Sequence, residues 1–275
     1  MNSAYKIPLL RHSLQEASAF RPESLIAAVR AERGLADSAI PEICVLDFDG
    51  DLTDWLAKMG LSKPATGWAC FHSSMQHVEL DGTAIGIVDR TIGGPYAVLI
   101  AEQMLATGGK VIVGMTSAGR VAPSLPVPSF VIPTRALRDE GTSYHYLAPS
   151  EFVKAPSDLS SRLARALEAV GVSVQRGPVW TTDAPYRETA EQIRRHASTG
   201  ILAVEMQAAS LFALGAARNA PIGVVAHVTN ATDHEGKDFD KGSERLWFEV
   251  LGGIAKAGSE IIRAPTQVVC GTTPE

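Results

Sequence analysis

Apolar residues in this chain gather in short, β-branched runs, and between those runs apolar positions recur at helical spacing. Pro22–Arg33 is the first predicted helix: Pro22 suits a first helical position, Leu25, Ile26 and Val29 share a face, and Gly34 stops it. Ile43–Leu46 is a continuous apolar run of strand length, followed by Asp47-Phe48-Asp49-Gly50-Asp51, read as an acidic loop. Gln76–Leu80 and Thr83–Val88 flank Asp81-Gly82, a hairpin dipeptide. Gly93-Gly94-Pro95 launches a helix over Tyr96–Ala106 with Gly108-Gly109 beyond its end. Lys110–Gly114 reads as a strand and Met115–Gly119 as a small-residue loop. The proline-rich stretch 121–133 argues against a central strand, except for pieces such as Phe130–Ile132.

In the second half, Asp158–Val170 is amphipathic, with Leu159, Leu163, Ala166, Leu167 and Val170 inward. Val172–Gln175, Ile201–Val204 and Ile222–Val228 read as strands, Thr181–Pro185 as a turn cluster and Arg187–Ala197 as a charged helix. Glu244–Arg263 closes the series as a helix. Strands alternating with helices predict a three-layer α/β/α sandwich around one central mixed sheet. No linker or repeat divides the chain, so we expect a helical lead-in over 1–40, one domain over 41–265 and a tail over 266–275.

Composition narrows the function classes. A net charge of −5 gives no reason to expect nucleic acid or an anionic membrane as partner, and means that any anion site must be made locally. Cys44, Cys70 and Cys270 contain no CxxC pair, which argues against a disulfide frame or zinc knot and for reduced thiols in the cytoplasm. Neither a signal-peptide core nor a run of 18 apolar residues is present.

Chemistry concentrates between Trp180 and Asn219. Glu205-Met206-Gln207 follows an apolar strand and precedes an Ala- and Leu-rich helix, so it stands where open α/β sheets present side chains to a ligand crevice. With Thr182-Asp183-Ala184-Pro185-Tyr186-Arg187-Glu188 upstream, the stretch resembles the core signature of the nucleoside phosphorylase family, which includes uridine and purine nucleoside phosphorylases and related nucleosidases. The resemblance implies cleavage of an N-ribosidic bond, with phosphorolysis to free base and ribose 1-phosphate as the leading reaction and transfer to water, or nucleoside binding without turnover, as alternatives. It implies a nucleoside substrate, no cofactor or metal, phosphate as co-substrate, and a homo-oligomer (dimer, trimer or hexamer).

Residue by residue, the resemblance assigns Glu205, Met206 and Gln207 to the sugar, although the family has glutamate where Gln207 stands. An acceptor on ribose hydroxyls steadies the positive charge that builds during cleavage, and an amide keeps the grip while giving up charge. The structural alternative is that Glu205 caps the next helix. Thr182, Tyr186 and Arg187 fall on the base pocket's wall, with Asp183 as an N-cap in the alternative reading. Asn230 stands near the residue that protonates the base in some branches; it can only hydrogen-bond the leaving group, with Asp233 as the fallback acid.

The anion site departs furthest from the family. Asp47, Asp49 and Asp51 replace neutral or cationic groups after the first strand, and three carboxylates near a dianion are costly. Gly93, Gly94, Thr116 and Ser117 remain as amide and hydroxyl donors, with Arg90 and Arg120 as flanking cations. Phe71 and His72 stand where a neighbouring subunit lends a group in the family, and His145 lies in a polar aromatic loop. VLDFDGDLTDW also resembles the first motif of haloacid-dehalogenase phosphatases, with Asp47 as nucleophile, but the later lysine and paired aspartates are missing.

Overall fold

In the computed structural model of the protein, residues 7–231 and 244–264 are described. Helix α1 (Pro22–Arg33) ends at Gly34, whose φ of 64° is the left-handed conformation glycine adopts without a Cβ penalty. Strand β1 (Ile43–Asp47) is buried along its whole length, as a run without polar alternation requires. The acidic stretch after it is not all loop: α2 (Asp51–Lys58) starts at Asp51, with the Asp47 carboxylate accepting from the Gly50 and Thr53 amides. The short β2 (Ser62–Pro64) pairs with β3 (Gln76–Leu80), which turns at Asp81-Gly82 into β4 (Thr83–Asp89). Helix α3 (Gly94–Ala106) follows.

Strand β5 (Val111–Arg120) runs straight through the expected loop 115–119, because β10 pairs with it continuously from Ile112 to Arg120. Contrary to expectation, β6 (Ser129–Asp139) is a central strand despite its prolines. Pro133 falls at the irregularity in its pairing with β8 (Val174–Thr182), where the ladder shifts register between Pro133 and Arg135. A missing N–H is tolerated at such a point. β7 (Phe152–Lys154) adds to the edge of β6, and α4 (Ser157–Ala169) follows. Of the strand expected at 172–175, Val174 and Gln175 open β8, which runs on to Thr182, so Thr181-Thr182 end a strand instead of opening a turn.

Helix α5 (Ala190–Ser198) is shorter than expected and opens with a capping box between Thr189 and Gln192, so Asp183 is not its N-cap. The strand expected at 201–204 is β9 (Ala203–Glu205), leading into α6 (Ala208–Arg218). β10 (Ile222–Ala231) and α7 (Glu244–Arg263) complete the described order.

The mixed sheet closes on itself at one end: β5 pairs with β10, β10 with β6, β6 with β8, β8 with β9, and β9 with β5. β1 pairs with β5 over 111–115 on the same edge that β9 takes at 119–120, and β4, β3 and β2 continue outward from it. One apolar layer packs α3 and α6 on the sheet, and another packs α2, α4 and α7, which gives the three-layer sandwich. No helix among the described residues is long and apolar enough to cross a membrane.

Candidate active site

Sheet closure brings the ends of β5, β8, β9 and β10 together, and the polar cluster lies there. β8 and β9 run parallel with Thr181 opposite Glu205. Glu205 is only 3% exposed. One of its oxygens accepts from the Gln207 and Ala208 amides at 2.6 and 2.8 Å, and the other accepts from the Thr181 hydroxyl. Thr181 Oγ1 in turn accepts from the Ala209 amide at 3.0 Å. Glu205 is thus the cap of α6, the structural role its position before a helix allowed. Burial pushes its carboxyl up to about 7, against the pull of these donors.

Gln207 occupies the N-cap position of α6 and is buried. Its side-chain oxygen accepts from Thr116 Oγ1 on β5 and from the Met206 amide, both at 3.2 Å. Its amide nitrogen makes no hydrogen bond among the described residues. Met206 is half-buried beside it. On the neighbouring strand β10, a bulge between Val228 and Asn230 shifts the register against β5 and sets Asn230 opposite Gly119. Thr116, Ser117, Glu205, Gln207 and Asn230 therefore belong to one end of the closed sheet. Asp233 lies outside the described residues.

A second layer of the cluster surrounds Gly94, the first residue of α3. A Cβ at Gly94 would stand 2.3 Å from Ser210 Oγ and 3.3 Å from Thr142 Oγ1, so only glycine lets α3 and α6 approach this closely. Ser210 donates to Glu140 Oε2 at 2.6 Å, and the Ser143 amide donates to the same oxygen at 2.9 Å. Gly93, at φ 92°, makes the turn into the helix.

The acidic segment behaves differently from a catalytic loop. Asp47 is buried, holds the Thr53 amide and hydroxyl, and has its carboxyl raised to about 6 by burial. Asp47 thus holds the start of α2. Asp49 turns the other way and takes both donors of Ser117. Arg90 is bound by Asp54 and Asp89, and Arg120 ends β5 opposite Ala203 of β9.

Thr182 is buried and accepts from the Ala184 amide, but Tyr186 is 99% exposed and Arg187 is exposed on a short 3₁₀ turn. Asp183 accepts from the Gly141 amide, which ties this wall to the segment after β6. Glu188, half-buried there, has its carboxyl pushed up to about 7 by burial. Phe71 and His72 lie at the surface near α3, where Tyr96 donates to the His72 carbonyl. His145 stacks on His12 instead of reaching the cluster. Among the described residues, no group of three or more His, Cys, Asp or Glu side chains is placed to hold a metal ion.

Sequence reasoning missed Thr181, Glu140 and Ser210. The first sat inside a supposed turn, and the others are joined only by packing between α6 and the segment after β6.

The chain is thus an α/β protein whose mixed sheet carries a buried acidic cap and a hydroxyl–amide cluster at its strand ends, the place where open α/β sheets bind ligands. Residues 43–257 match the sequence profile of the Phosphorylase superfamily, and the chain belongs to that superfamily. It is similar to the guanosine phosphorylase of Halorubrum lacusprofundi, at 29% identity over 168 residues, covering 60% of this chain and 69% of that protein. The uridine phosphorylase of Salmonella typhimurium is 24% identical over 200 residues, covering 67% of this chain and 76% of the relative. That of Treponema pallidum is 30% identical over 155 residues, covering 52% and 60%.

Proposed function

We propose that this protein cleaves the N-ribosidic bond of a nucleoside by phosphorolysis, releasing free base and ribose 1-phosphate. The observation that carries the reading is Gln207, buried at the start of a capped helix, with its oxygen on Thr116 and its amide nitrogen without a partner among the described residues. A furanose hydroxyl is the kind of group that accepts from such an amide, and Glu205 keeps the helix start in place. Asn230, across β5, takes the part of hydrogen-bond donor to the leaving base. The names of the relatives make guanosine and uridine the first substrates to assay.

The test is a screen of nucleosides with and without phosphate, read by base release and by the sugar product. Free base with ribose 1-phosphate supports the reading. Absence of base release from every nucleoside overturns it. A homo-oligomer forms part of the proposal; Ile92 before α3 and Leu99 within it are exposed apolar side chains, at 54% and 42%. Sedimentation as a monomer at micromolar concentration would remove that part.

A further inference from the structure

β1 ends opposite Met115 of β5 and β9 pairs only from Gly119, so the Ser117 amide on the same edge falls in the gap between them. An amide in that position must find another acceptor. The Asp49 carboxylate supplies it: Ser117 N donates to Oδ2 at 2.9 Å and Ser117 Oγ donates to Oδ1 at 3.0 Å. Two donors of one residue thus converge on the two oxygens of one anion, the arrangement that two oxygens of a phosphate would also satisfy. The seat is one residue from Thr116, the hydroxyl bound to Gln207. It is an anion seat already holding an anion.

The charges nearby do not favour a second anion. The Asp47 carboxylate points into the α2 cap on the same segment. The Arg90 guanidinium, packed over Gly50, is bound by Asp54 and Asp89. A dianion arriving at Ser117 therefore meets the Asp49 carboxylate first, and like charges at contact distance repel strongly.

We propose that Asp49 is a built-in competitor for phosphate: it occupies the anion seat on Ser117, and phosphate enters only when that carboxylate leaves. Calling this phosphate the acceptor rests on the nucleoside reading above; its binding does not. The test is calorimetric titration of inorganic phosphate into the full-length protein and its Asp49→Ala, Asp49→Asn, Asp51→Asn and Asp49→Ala/Ser117→Ala variants, each checked for an unchanged fold by circular dichroism. Both Asp49 variants are expected to bind phosphate at least about tenfold more tightly than the wild type, a difference readily resolved in Kd. Asp51→Asn, which removes a nearby charge without vacating the seat, should stay within about twofold of the wild type. Adding Ser117→Ala should abolish the gain. Unchanged or weaker phosphate binding in Asp49→Ala overturns the proposal, and so does an equal gain in Asp51→Asn. Titration reads the seat without turnover, so failure of base release would count against the nucleoside reading alone.

Discussion

Replacing Glu205 by alanine tests whether one buried carboxylate builds the start of α6. The substitution removes the acceptor for the Gln207 and Ala208 amides and for the Thr181 hydroxyl, all three in buried residues. Each donor left unpaired away from water costs about 1–3 kcal/mol. Partial relaxation toward neighbouring acceptors makes the low end the safer figure, about 3 kcal/mol in total. For a chain of this size that lowers Tm by about 6–12 °C. The effect also depends on pH, with a definite sign. Burial raises the folded-state carboxyl from its usual value near 4.5 to about 7, so folding takes up a proton in that window. Stability from this group is full below about pH 4.5 and declines as pH rises toward 7, by about 1.4 kcal/mol per unit at the steepest. The destabilisation of Glu205→Ala should therefore be larger at pH 5 than at pH 8. Urea unfolding at both pH values measures it, with the exposed Glu191→Ala as a control. A loss no greater than the control's, or a larger loss at pH 8, would refute the reasoning. Thr181→Val should cost about 1–3 kcal/mol and be non-additive with Glu205→Ala, since both act on one cap.

Other outcomes follow from the same geometry. Gln207→Ala should weaken nucleoside affinity about tenfold, the equivalent of one lost hydrogen bond of about 1.4 kcal/mol, as read by equilibrium binding with guanosine or uridine. Asp47→Asn should flatten the fall in stability between about pH 4 and 6, because Asp47 is held protonated up to about 6 when folded; acid and neutral urea midpoints check this. Gly94→Ala forces a methyl against Ser210 and Thr142, and we expect a loss of about 1–3 kcal/mol by thermal unfolding together with lower base release.

Much of the fold was legible because local pattern and final environment agree. The helical face of Pro22–Arg33, the Asp81-Gly82 hairpin and the buried run at Ile43 each follow from spacing or turn chemistry alone. The misread elements are those where tertiary pairing overrides composition. Met115–Gly119 has the small residues of a loop but is held as strand by its ladder with β10. Ser129–Asp139 contains Pro133 yet lies in the middle of the sheet, because the proline coincides with a register shift. Asp51–Lys58 was hidden by its own cap, since a cluster of aspartates looks like a loop until one of them is seen to hold the next helix.

The candidate site was legible to about the same depth and for the same reason. Glu205-Met206-Gln207 could be placed from the strand–helix boundary, but the boundary could not say which of the two polar side chains would face a ligand. The structure separates them: Glu205 spends its oxygens on α6 and Thr181, while Gln207 keeps an amide group open beside Thr116. The acidic segment divides in the same way, with Asp47 turned inward to α2 and Asp49 turned outward to Ser117, although the two lie only two residues apart. No periodicity in the sequence distinguishes them, since the direction of each depends on where β1 ends relative to β5. That end point leaves the Ser117 amide without a strand partner, and the chain meets the unpaired donor with a charge of its own.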